Sequence, residues 1–129
     1  MIDRQSALQS ACILLLEDDA LISLDTEDTL LSLGAARVLV AHTIAEAEDL
    51  VARETIDAAV LDLVIGRNKS DAFAGRLVDR RIPVVFASGL GEAASLQLPE
   101  ALRKIPTVGK PYTANTLYSA LAAALGRPE

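Results

Sequence analysis

The sequence has little of what membrane, secreted or nucleic-acid-binding proteins rely on. It has one cysteine, Cys12, which can staple nothing internally, so a reducing, cytoplasmic setting is expected. No apolar run exceeds six residues, as in Ala11–Leu16, well short of the roughly 20 that cross a bilayer. No charged-then-apolar leader precedes that run, so neither export nor membrane insertion is expected. With no Trp, two Phe and two Tyr, there is little aromatic surface for stacking on bases. His42 is the one histidine; it has no companions at metal-ligand spacing and reads as a surface residue.

A chain of 129 residues, 51% hydrophobic and 23% charged, is suited to one globular domain. Its 12 basic and 18 acidic residues give a net charge of −6, and the excess is local. Residues 17–62 hold twelve acids against Arg37 and Arg53, whereas residues 63–129 hold five acids against nine bases. No basic footprint for nucleic acid is present, and Arg80-Arg81 is too short to make one. The acidic half suits cations or a partner with a basic face.

Compact apolar runs recur at Cys12–Leu16, Arg37–Ala41, Ala58–Leu61, Pro83–Ala87 and, more weakly, Pro106–Gly109. Runs without polar alternation fit strands covered on both faces. Between them lie segments of helical period: Leu21–Leu33 ending at Gly34, a helix opened by Thr43-Ile-Ala-Glu46, Asp71–Arg81, and Thr113–Leu125 stopped by Gly126. Gly89–Lys104 holds at most a short helix. Five strand–helix repeats predict a three-layer, doubly wound α/β domain with a five-stranded parallel sheet, whose working residues follow the strands.

Those residues are Glu17, Asp18 and Asp19 after the first run, Asp62 at the end of the third, Ser88-Gly89 after the fourth and Lys110-Pro111 after the fifth. Singly, each has a plain structural reading as a helix cap, turn or bend. Jointly, an acid pair, a lone Asp, a hydroxyl and a Lys-Pro resemble the pattern of response-regulator receiver domains of bacterial two-component signalling. The resemblance covers residues 12–126, leaving 1–11 as an N-terminal extension and 127–129 as a C-terminal tail. The segment Ile82–Gly91, IPVVFASGLG, further resembles the FAT GUY group of receivers. It implies a flavodoxin-like (βα)5 fold whose fourth helix is short or mobile.

The resemblance implies that Asp62 accepts a phosphoryl group from a sensor histidine kinase or histidine phosphotransfer protein. It implies Mg2+ held by Asp18, Asp62, the Val64 main-chain carbonyl and Glu17, the last directly or through water. Glu17, Asp18 and Asp62 carry −3 and Lys110 +1, so one divalent cation cancels the remaining −2. Lys110 and the Ser88 hydroxyl would then hold the phosphoryl group, drawing the Gly89–Gly91 loop with it. Such a protein is a phosphoryl acceptor with at most slow self-dephosphorylation, not a turnover enzyme. With no room for a DNA-binding domain after Gly126, its message is expected to pass to an unknown target by protein contact.

Several positions depart from the family pattern. Thr107 stands where most receivers place an aromatic switch residue, while Tyr112 follows the lysine. Ser88 replaces Thr, and Val64-Ile-Gly-Arg-Asn-Lys-Ser70 lacks the usual Met-Pro turn. On the first helix, Ile22, Thr26, Leu30 and Leu33 form the stripe expected to face the sheet. Leu21, Leu24 and Leu31 fall on another, a candidate partner contact. Cys12 reads as a small apolar filler.

A nucleotide- or flavin-phosphate module is disfavoured, because Glu17-Asp18-Asp19 would repel phosphate where such folds bind it. An aspartyl-phosphate phosphatase would carry a second acid two residues after its nucleophile, and Asp62-Leu63-Val64 does not. A phosphorylation-independent interaction scaffold would keep the fold without needing the five polar residues together.

Overall fold

The computed structural model describes residues 8–89 and 98–126. The elements run β1 (Cys12–Leu16), α1 (Ala20–Ser32), β2 (Arg37–Ala41), α2 (Ile44–Arg53), β3 (Ala58–Asp62), β4 (Val64–Ile65), β5 (Asn68–Lys69), α3 (Asp71–Asp79), β6 (Val84–Ser88), a 3-10 turn at Glu100–Leu102, β7 (Thr107–Gly109) and α4 (Ala114–Leu125). The five longer-range strands pair in parallel in the order β2-β1-β3-β6-β7. This is the doubly wound, flavodoxin-like order.

The period-2 alternation of strand side chains divides the apolar runs between two cores. Leu14 and Leu16, Ala59 and Leu61, and Val84 and Phe86 face α2 and α3, whereas Ile13 and Leu15, Ala58 and Val60, and Val85 and Ala87 face α1 and α4. Hence β1, β3 and β6 are buried throughout, as their unbroken apolar runs require. At the edge, β2 is only half covered along Val38–Val40.

Each helix ends where its sequence allows. Gly34, at φ 115, lets the chain turn after α1, with Gly34 N–H donating to the Leu31 carbonyl and Ala35 N–H to that of Leu30. The same closure follows α3, where Arg81 takes φ 63, so α3 stops at Asp79 instead of reaching Arg81. Thr43 caps α2 through Glu46 N–H, but the Glu46 carboxylate reaches His42 N–H instead of Thr43 N–H. The reciprocal capping pair forms at α4, between Thr113 and Thr116.

Two features depart from expectation. Leu8 is fully buried, and Ala11 accepts hydrogen bonds from Ala36 and Arg37 N–H, so the packed body begins before residue 12. After Asp62 the chain forms the antiparallel β4–β5 hairpin instead of an open loop. Its two-residue turn starts at Gly66, whose φ of 61 supplies the left-handed position such a turn needs. Half of the segment expected as a short or mobile fourth helix, residues 90–97, lies outside the described residues, as do Leu90 and Gly91 of the subgroup resemblance. No helix among the described residues is long and apolar enough to cross a membrane.

Cys12 fills the start of β1, 7% exposed, as the apolar filler its setting suggests. Burial pushes its thiol above the ordinary value. A raised pKa in the folded state adds stability in full below the unfolded thiol's pKa, and that stability is lost as pH rises through the folded value. The wild-type urea midpoint is therefore expected to fall between about pH 8 and pH 10 more steeply than that of Cys12→Ala.

Candidate functional site

Strand alternation delivers three charged side chains to one place. Continuing the rows that face α1 and α4, Leu15 leads to Glu17, Val60 to Asp62 and Val108 to Lys110. Leu16 pairs with Leu61 across β1 and β3, which sets Glu17 level with Asp62. The ladder is extended past the strands: Glu17 N–H donates to the Ala41 carbonyl at 3.0 Å and Leu63 N–H to that of Ala87 at 2.9 Å. From the end of β7, Lys110 Nζ donates to Glu17 Oε1 at 2.9 Å and to Asp62 Oδ2 at 3.0 Å. The Lys110–Pro111 peptide bond is cis.

Asp18 completes the group: one carboxylate oxygen each from Glu17, Asp18 and Asp62 lies within 4.8 Å of the others. At that spacing and a protein-like dielectric, two carboxylates repel by roughly 3 kcal/mol. Glu17 is 2% exposed and Asp62 8%, so solvent screens little of it. Burial raises the Glu17 carboxyl above its ordinary value, against the opposing effect of the Lys110 and Asp19 hydrogen bonds. Burial works against the Lys110 ammonium too, but its hydrogen bonds to Glu17 and Asp62 outweigh that and hold its pKa above the usual lysine range.

The donor set fits a small, hard divalent cation. It is all oxygen, anionic by two charges after Lys110 is counted, and partly open through the exposed Asp18. Both Glu17 oxygens already accept a hydrogen bond, Oε1 from Lys110 and Oε2 from Asp19 N–H at 3.0 Å, which leaves each a remaining lone pair.

Around this group the loops are tied down. Asp19 caps α1, its Oδ1 accepting from Leu21 and Ile22 N–H at 2.9 and 3.0 Å, the helix-cap role its position suggests. His42 is exposed as expected, yet its Nδ1 lies 2.9 Å from the Glu17 carbonyl; that oxygen can only accept, so Nδ1 carries the proton. The Tyr112 hydroxyl meets Thr26 Oγ1 at 2.6 Å, tying the segment after Lys110 to α1. Burial raises the Tyr112 phenol above its ordinary value, so it stays protonated. Beside it a cavity of about 350 Å3 opens among Ile22, Asp25, Thr26, Lys110, Pro111 and Tyr112.

The other expected residues are spread differently. Ser88 ends β6, buried, one residue beyond Ala87, the partner of Asp62; its carbonyl accepts from Lys110 N–H at 2.9 Å. Val64 opens the hairpin, its side chain exposed and its N–H 3.4 Å from Asp62 Oδ1. Leu21, Leu24 and Leu31 stand on the open side of α1, at 80%, 66% and 45% exposure. The buried stripe of α1 is Ser23, Thr26 and Leu30, with Leu33 half-buried against the same core, so of the expected stripe only Ile22 is corrected. Ile22 is 37% exposed and lines the cavity, because the helix is rotated to bring Ser23 inward. Sequence reasoning missed Ser70, a fully buried residue in a segment without periodicity; its Oγ donates to the Asp62 carbonyl at 2.7 Å.

No protein-family model matches the chain, and no curated protein does. Solved structures do. SdrG from Sphingomonas melonis Fr1 is 37% identical over 94% of this chain and 99% of its own, with a TM-score of 0.74. The receiver domain of the response regulator PhyR from Erythrobacter litoralis is 29% identical over 93% of each chain, at a TM-score of 0.77. A response regulator receiver protein from Sinorhizobium medicae WSM419 is 30% identical over 92% of this chain and 97% of its own, at a TM-score of 0.73. A relationship of that extent to a receiver protein makes this chain a member of the response-regulator receiver family.

Proposed function

We propose that the protein is a phosphoacceptor in a two-component relay, with Asp62 as the acceptor and protein contact as its output. The observation that carries this reading is the Lys110 ammonium held between Glu17 and Asp62, with Asp18 alongside, at the carboxyl ends of the strands. In the proposed step an Asp62 carboxylate oxygen attacks the phosphorus of a phosphohistidine on a sensor kinase or phosphotransfer protein. The P–N bond breaks, its electron pair leaves with the imidazole, and an acyl phosphate forms. A carboxylate is a weak nucleophile, so cationic surroundings must offset the charge that builds as phosphorus approaches.

Lys110 supplies part of that offset and already donates to Asp62 Oδ2. Glu17, Asp18, Asp62 and the Val64 carbonyl would hold Mg2+, which when bound contributes two positive charges against the phosphoryl oxygens. Ser88, at the end of the neighbouring strand, would donate its hydroxyl to the acyl phosphate. Phosphorylation would add about −1.5 to −2 charge there, which Lys110 is placed to pair.

The exposed leucines of α1 belong to the same reading. Leu21 and Leu24 stand one turn from Asp19, on the helix that begins beside the acidic group, and offer a partner apolar contact next to the acceptor. Incubation with Mg2+ and acetyl phosphate is expected to add one phosphoryl group by intact mass, and Asp62→Asn is expected to add none; an unmodified wild type refutes the proposal. Leu24→Asp is expected to keep its urea midpoint within about 0.5 kcal/mol of wild type. The same variant should slow phosphoryl transfer from a histidine kinase active on the wild type by roughly 5-fold or more, while acetyl phosphate still modifies it normally.

A further inference from the structure

Ser70 stands at the position before α3 where a serine ordinarily caps the helix, accepting a hydrogen bond from a first-turn N–H. It makes no such bond. Instead its hydroxyl turns backward, donating to the Asp62 carbonyl at 2.7 Å and lying 3.3 Å from that of Leu63, while its own N–H donates to the Leu63 carbonyl at 2.9 Å. The residue is fully buried, so this hydroxyl was taken from water to serve the backbone of the candidate acceptor.

Ser70 also closes the base of the β4–β5 hairpin, whose strands pair Val64 with Lys69 and Ile65 with Asn68. At the hairpin's tip, Gly66 N–H donates to Asp18 Oδ2 at 2.9 Å. The hairpin thus has two attachments to the acidic group: Ser70 on the Asp62 main chain at one end and Gly66 on the Asp18 side chain at the other. Ile65, 5% exposed, packs into the core below and keeps the brace from swinging. Asp18 follows β1 and Asp62 ends β3, and the two repel one another; a two-ended strut between them opposes that repulsion.

We propose that Ser70 is a positioning residue for the site. Through the hairpin, it holds Asp62 and Asp18 at the spacing a divalent cation requires before any cation arrives. The proposal rests on the Mg2+ reading above and adds to it the claim that the hairpin, not the strand ends alone, sets cation affinity. The Gly66 bond engages one Asp18 oxygen and leaves lone pairs for a metal, so the strut and the cation can coexist. Partners that orient metal ligands from behind typically change affinity by 10- to 100-fold when removed.

The test is an amide-detected NMR titration of the full chain with MgCl2, alongside urea unfolding, for wild type and Ser70→Ala. The expected result is a dispersed, folded spectrum for Ser70→Ala with Mg2+ affinity weakened about 10-fold, and a Gly66 amide in the wild type that shifts with the same midpoint as Asp62. A merely structural role would lower the urea midpoint and leave the Mg2+ affinity of the folded variant at the wild-type value; that outcome overturns the proposal. If Ser70→Ala fails to fold, the wild-type titration decides: a Gly66 amide unmoved through saturation overturns the strut. A wild type that shows no Mg2+-dependent shifts at all refutes the metal reading itself, and this proposal falls with it.

Discussion

Three acidic side chains crowd one end of this sheet, and the Lys110 ammonium is what lets two of them be buried there. Its Nζ bridges Glu17 and Asp62 at 2.9 and 3.0 Å, joining the chain just past β7 to the ends of β1 and β3. Without that cation Glu17, 2% exposed, would be an uncompensated buried charge, a state that proteins avoid at a cost of several kcal/mol. Burial still leaves its carboxyl easier to protonate than usual, so the neutralisation by Lys110 is incomplete. What remains is a group two charges short of balance, facing solvent through Asp18.

That residual charge is built into the architecture. Parallel strands alternate their side chains in step, so Leu15, Val60 and Val108 in one core place Glu17, Asp62 and Lys110 together beyond it. The apolar rows fix the direction of the charged ones, and the packing that stabilises the domain also aims its site. The segments leaving the strands are then fastened across the group: Gly66 to Asp18, Ser70 to Asp62, Tyr112 to Thr26 and His42 to Glu17. Three of these bonds join elements 25 or more residues apart, and Ser70 closes a shorter span of eight, so the hairpin, α1 and the loop after β2 are all fastened beside the acidic group.

On the outer side of α1 the same helix is apolar without a covering neighbour among the described residues. Its inward stripe, Ser23, Thr26 and Leu30, is small or polar for a core-facing surface, while Leu21 and Leu24 point away. Hydrophobic area is thus kept at the edge of the acidic group, where a partner approaching Asp62 would meet it, and the polar Thr26 is spent inward on Tyr112.

The strands, the helices and the alternation between them were legible in the chain because burial on both faces demands unbroken apolar runs, and Gly34 and Gly126 mark helix ends by their conformational freedom. Residues at strand ends were legible for the same reason: fold class dictates where they gather. The β4–β5 hairpin was not, since each of its strands is two residues long and carries no period. Ser70 was hidden because serine before a helix reads as a cap, and only the folded chain shows its hydroxyl turned the other way. Thr26, Leu30 and Leu33 of the sheet-facing stripe of α1 were legible, whereas Ser23 takes the inward place expected of Ile22 by virtue of how the helix rests on β1 and β2. The sequence alone determined which residue types stand at the carboxyl ends of the strands, through local patterns of hydrophobicity and turn chemistry. Tertiary structure decided which oxygen meets which proton: those contacts span up to 93 residues of chain, and distances of that kind are set by packing, not by any local preference.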